Sequence, residues 1–214
     1  VRRCVINVAL ERQQGFPATQ TQWVPALSRL AASMLDLTVD FIVEDEANQR
    51  SFQMQESAIL LWAWATAGRA SDEAFRIDSQ CMIQQADQHL DDGSDPRDFL
   101  KQQHWSNSVW AFATARVYDG HEELLVYLAS LLHRYPWFVD SFNSQEVANT
   151  VWGVATLLSN KRAFLAEVVT EREQTAALSV LRHLLLLVVQ RQAENFDPQA
   201  LSNTLWAMAT LGFG

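Results

Sequence analysis

Four glutamines and three asparagines recur at fixed distances from four tryptophans. Gln55, Gln103, Gln145 and Gln199 stand seven residues before Trp62, Trp110, Trp152 and Trp206. Asn107, Asn149 and Asn203 stand three residues before the last three of these, and Ile59 takes that place in the first. The offsets of four and three put amide, amide and indole close to one face of a helix. A carboxamide carries donors and an acceptor together, so a row of them can read hydrogen-bonding groups without ionising. Asn is a poor helix-interior residue, so its return has a cause. In one reading the amides meet base edges, as helical-repeat RNA readers do with two or three side chains per repeat. In the other they bond to the backbone of the next structural unit and lock it in place, since buried amides must find partners. A recognition code should vary between units and these residues do not, which favours the lock. A code would then sit at the variable positions Glu56, His104 and Glu146, near the helix starts.

No constellation for catalysis accompanies them. The five histidines are scattered, and the "HEELL" at His121 has Leu125 where a zinc-binding HExxH needs histidine. The two cysteines, Cys4 and Cys81, give neither metal-ligand spacing nor a disulfide framework. Seven glycines form no phosphate-cradling loop or nucleophile elbow. No enzyme, cofactor, metal or small-molecule substrate is expected. The longest aliphatic run, Leu184 to Val189, is far short of the ~20 residues of a membrane span. The formal net charge is −9, the opposite sign to most nucleic-acid binders. A charged fraction of 19% is below the roughly 25% of an ordinary domain and hints at surface kept for protein partners.

The elements that carry these residues repeat as well. Aligned on tryptophan, the windows are "FQMQESAILLWAWATA", "LKQQHWSNSVWAFATA", "FNSQEVANTVWGVATL" and "FDPQALSNTLWAMATL". Apolar positions at −5, −1, +2 and +5 form a helical stripe, as Val147, Val151, Val154 and Leu157 do in the third. Small residues at −4, +1 and +3, such as Ala148, Gly153 and Ala155, admit a neighbouring helix at close range. Asp197 with Pro198 forms a helix start. Asn143 with Glu146 forms a capping box, framed by Phe142 and Val147 as a staple, and Phe196 with Leu201 repeats the staple. Helices are therefore expected near 53–68, 101–116, 143–158 and 197–212. Between them lie further helical stretches, so the unit is a hairpin. One hairpin cannot cover its own apolar face, and stacking several makes a continuous core. Tryptophan is expected to fill the seam between units.

The expected fold is all-α, a right-handed α-solenoid of stacked helical hairpins like the armadillo and HEAT superhelices. Residues 51–214 hold about three and a half units in one array, after degenerate N-terminal helices or a cap in residues 1–50. Anchor spacings of 48, 42 and 54 residues show that the additions fall around the second helices. "DDGSDPRD" at Asp91–Asp98 reads as a turn-rich insertion. The chain opens without Met, in what reads as mid-helix, and stops directly after a repeated element, so a processed or partial chain is expected.

"FDPQALSNTLWAMATLG" and "FNSQEVANTVWGVATL" resemble the octotricopeptide repeat, an α-solenoid unit with a proline–glutamine start and a Leu-Trp-Ala-x-Ala core. The resemblance spans Phe52 to Gly214 and lies in the first helix of each unit. Every unit here is longer than the family's thirty-eight residues, the proline is in place only in the last, and no RAP domain is visible. The resemblance implies an imported, processed protein of a mitochondrion or plastid (chloroplast) that binds organellar RNA without catalysis and supports transcript stability or expression.

Arg69, Arg116, Lys161 and Arg162 then become candidates for a phosphate-tracking strip, although cations also favour helix C-termini through the dipole. The alternative is a scaffold subunit of a large organellar complex, a ribosome or membrane assembly, binding protein through the solenoid surface. Trp105, Trp137 and Phe138, which read as exposed apolar residues, fit this. A second alternative is armadillo-like peptide binding through the Asn–Trp pairs.

Overall fold

The computed structural model describes residues 23–44, 52–160, 169–191 and 196–212. Among them are ten helices and no strand. They are α1 (Trp23–Glu44), α2 (Met54–Ala67), α3 (Asp72–Asp91), α4 (Pro96–Phe99), α5 (Gln102–Ala115), α6 (His121–Arg134), α7 (Pro136–Asp140), α8 (Ser144–Asn160), α9 (Glu171–Gln190) and α10 (Pro198–Thr210). The four tryptophan windows are α2, α5, α8 and α10. The helix read in the "TQWVPALSRL" stretch is α1. The helical reading of the first 14 residues lies outside the described residues.

The helices pack in two rows. In the first row α2 lies on α5, α5 on α8, and α8 on α10. In the second α1 lies on α3, α3 on α6, and α6 on α9. Each row is held to the other within hairpins, α2 with α3, α5 with α6 and α8 with α9. The second-row helices α6 and α9 run parallel, since His121 meets Glu173 near their starts and His133 meets His183 further along.

The apolar stripe explains why the rows hold. Leu61, Trp64, Val109, Phe112, Val151 and Val154 are fully buried against Phe75, Met82, Leu125, Leu128 and Leu184 of the second row. Small residues bring the first-row helices together: Ala111, Ala155 and Ala207 are fully buried. A Cβ built on Gly153 would stand 2.8 Å from Val109 Cγ1 and 3.1 Å from the Val109 carbonyl oxygen. No larger side chain fits there without moving α5 from α8.

Two readings of surface residues are corrected. Trp105 and Phe138 are not exposed but fully buried. Trp105 stacks on Tyr127 with ring centroids 5.3 Å apart. Phe138 is turned inward by α7, a short helix after α6 that begins at Pro136. Trp137 is half-buried, with the Arg97 guanidinium 5.5 Å above its ring.

Candidate binding surface of the first-row helices

The helix starts are built by the side chains their sequence supplies. Asp197 Oδ1 accepts from the Ala200 amide at 2.8 Å. Asn143 Oδ1 accepts from the Glu146 amide, and Glu146 Oε2 accepts from the Asn143 amide, each at 2.9 Å. Glu56 Oε2 likewise accepts from the Gln53 amide at 2.9 Å. Two of the three variable positions are thus committed to capping. Burial pushes the Glu146 carboxyl up, against the lowering effect of its bonds to Asn143. The third, His104, is half-buried with Nδ1 away from water and without a partner among the described residues. Burial, aided by the Lys101 charge, holds its imidazole below the usual histidine value.

The anchor tryptophans form a ladder. Ring centroids are 6.4 Å apart for Trp62–Trp110, 6.5 Å for Trp110–Trp152 and 6.3 Å for Trp152–Trp206, with interplanar angles of 29°, 34° and 32°. Each indole makes a similar angle with the last. They lie between neighbouring first-row helices; Trp62, Trp110 and Trp152 are half-buried, and Trp206 at the end of the row is 48% exposed. The space between the rows is filled by Trp64, which donates its indole N–H to Thr38 Oγ1 at 3.1 Å, and by Trp105.

The amides flank this ladder. Gln55, Gln103, Gln145 and Gln199 are exposed, while Asn107, Asn149 and Asn203 are half-buried. None of their side chains hydrogen-bonds another described residue. Gln145 and Asn149 of α8 face Gln199 and Asn203 of α10 across a polar groove of about 170 Å³, floored by Ala148 and Ala200 and closed at one end by Asp197. The stripe extends to the threonine at +4, which is seven residues after Asn and one turn beyond Trp. Thr66, Thr114 and Thr156 have buried hydroxyls without a partner among the described residues. In the last unit Thr210 donates to the Trp206 carbonyl at 2.8 Å. The repeated Ala-Thr in the sequence was the available signal for this row.

Among the cationic candidates, Arg69 is bound by Asp36 of α1, at 3.2 Å to Oδ1 and 3.0 Å to Oδ2. Arg116 ends α5 in the left-handed region, φ 59°, where Gly68 ends α2 at φ 67°. Lys161 and Arg162 lie outside the described residues.

Other side chains close the individual hairpins. Gln85 Nε2 donates to the Phe52 carbonyl at 2.5 Å, and Arg191 NH1 to the Phe142 carbonyl at 2.6 Å. Gln102, one residue before the periodic Gln103, donates to the Phe138 carbonyl at 3.1 Å. Two of these carbonyls stand just before a first-row helix and the third lies within α7, and nothing in their local sequence distinguishes the three donors. No protein-family model matches the chain, and no curated protein or solved structure is significantly similar to it.

Proposed function

We propose that the chain is a right-handed α-solenoid whose first-row surface binds single-stranded organellar RNA without catalysis. The two-row packing supports the solenoid. The ladder spacing of 6.3–6.5 Å is closer than the about 8–10 Å between packed helix axes, so the indoles lean together as they would on an inward-curving face. The observation that carries the RNA reading is the set of amides that bond no other described residue, repeated beside half-buried indoles. An amide kept for locking should be bonded to its neighbour, and these bond no other described residue. Periodic donors and acceptors next to aromatic rings suit unpaired bases, whose edges and faces are both open. The resemblance to the octotricopeptide repeat points the same way and supplies the organellar setting, mitochondrion or plastid.

The test is titration of a single-stranded RNA pool against tryptophan fluorescence over a salt series, with Gln145→Ala/Gln199→Ala beside the parent chain. Expected are quenching, affinity that falls as salt rises, and weakened binding in the variant. Because these amides bond no other described residue, the variant should keep its stability within about 0.5 kcal/mol. No binding at low salt would refute the RNA reading.

One observation favours a second reading. The net charge is −9, and Arg69 is already neutralised by Asp36. The same surface would then hold protein, as a scaffold within a large organellar assembly or by gripping an extended peptide backbone through Asn107, Asn149 and Asn203. Binding that persists in high salt and is lost on substituting those asparagines would select it.

A further inference from the structure

We propose, resting on the RNA reading of this surface, that the groove between α8 and α10 takes one unpaired base with an exocyclic amino group, cytosine before uracil among the pyrimidines, and that Asp197 makes the choice. The position nine residues before the anchor tryptophan caps each first-row helix, and its chemistry changes from unit to unit: Gln53, Lys101, Asn143 and Asp197. The positions at −7 and −3 keep their amides, Ile59 excepted. An amide carries donors and an acceptor together. The Gln–Asn row can therefore hold a base edge of either kind without choosing between them. A cap that differs in each unit is where a choice can be made.

At the α8–α10 junction the cap lines the groove. Asp197 closes one end of the cavity of about 170 Å³ whose walls carry Gln145, Asn149, Gln199 and Asn203. At −6 α10 has Ala200, where α5 has His104 and α8 has Glu146, so the space beside the amides is left open here. Lys101, the cap with the opposite charge, is engaged elsewhere, its ammonium donating to the Arg97 carbonyl at 2.6 Å. Asp197 Oδ1 holds the Ala200 amide at 2.8 Å, which uses one of about four lone-pair sites of a carboxylate. An ionised carboxylate only accepts. It can take a hydrogen from cytosine N4, the pairing carboxylates make with that base, while amide N–H groups supply its N3 and O2. Uracil has an oxygen, O4, where cytosine has the amino group, and sets acceptor against acceptor. The cavity is well below the about 300–1,000 Å³ of a small-molecule pocket, which suits one ring and not a larger ligand.

The test compares oligocytidylate and oligouridylate of equal length, titrated at neutral pH and one low salt concentration against the parent chain and Asp197→Asn. Asparagine caps a helix about as well as aspartate, so α10 keeps its start, and thermal melting checks that it does. Removing a negative charge should favour the phosphates of both oligomers alike, so the ratio of the two affinities isolates the base. Asp197→Asn should lower the cytosine-over-uracil ratio roughly fivefold, the size of one net hydrogen bond. Both oligomers bound, with a ratio that the substitution leaves unchanged, would overturn the proposal and leave the RNA reading standing. A ratio that moves towards cytosine in the variant would mean that the carboxylate meets another edge, and would overturn it as well. Neither oligomer bound would also overturn it, and the mixed-sequence RNA pool then tells whether the RNA reading falls with it.

Discussion

His121 and Glu173 join neighbouring second-row helices through a 2.7 Å contact between Nε2 and Oε1, with both side chains withdrawn from solvent. Nδ1 of the same ring faces the Tyr118 carbonyl at 2.5 Å. With Nδ1–H donating there, the Nε2–carboxylate contact holds a second proton. Such a pair costs desolvation to form, but removing one member strands the other. Glu173→Ala is expected to cost about 3–5 kcal/mol. Glu173→Gln, which keeps an acceptor for the ring, should cost clearly less. Urea unfolding at neutral pH separates them, and two equally mild losses would mean that the pair does not hold α6 to α9.

Gly153 and Val109 make a second junction measurable. Alanine in a helix is worth about 1 kcal/mol over glycine, but a Cβ at 153 would press on Val109 side chain and backbone. Overpacking costs about 1–3 kcal/mol, so Gly153→Ala is expected to lower stability despite its better propensity. Val109→Ala removes the nearest atom but leaves the carbonyl 3.1 Å away. The double variant should therefore recover part of the loss, giving a favourable coupling in a double-mutant cycle. A simple sum of the two effects would show that the close approach is not what fixes the residue.

The helices were legible because their signals are local. A tryptophan with small residues at fixed offsets, a cap and a staple all lie within one window, and α2, α5, α8 and α10 follow from them. The burial of Trp105 was legible, since it stands at the −5 position of the apolar stripe; that of Phe138 was not, because it depends on α7 turning the chain against α6. The locks of Gln85, Gln102 and Arg191 were hidden for the same reason, since each bonds a carbonyl more than thirty residues away in sequence. Of the candidate surface, the sequence placed amide and indole on one face. It could not show that the indoles stack on one another, nor that the amides stay unbonded, because both are relations between helices.

His104 ties acidity to stability. Its folded-state value is lowered by burial and by Lys101, while in the unfolded chain it takes the ordinary value of 6.5. Lowering a base's value on folding favours the neutral form. The stability it leaves intact is therefore fully present above about pH 6.5 and is lost as pH falls towards the folded value. His104→Gln removes that proton uptake. The variant should lose less Tm than the parent between pH 7 and pH 5, and parallel curves would show that His104 contributes nothing to acid sensitivity.

The tryptophan ladder makes its own prediction about position. Trp152 stacks on both Trp110 and Trp206, whereas Trp206 has one described neighbour in the ladder and is half in solvent. Each aromatic pair is worth about 0.5–1.5 kcal/mol beyond the area it buries. Trp152→Ala should therefore destabilise the chain by about 0.5–1.5 kcal/mol more than Trp206→Ala. The spectroscopic signature should differ in kind. Indoles at this separation and tilt couple excitonically, so the parent chain is expected to show an exciton couplet in its ultraviolet circular dichroism. Trp152→Phe, which keeps much of the packing, should cut the ladder into one pair and one isolated ring and weaken the couplet far more than Trp206→Phe. Equal losses from the two substitutions, in stability and in the couplet, would mean that the indoles act as separate side chains rather than as one stacked row.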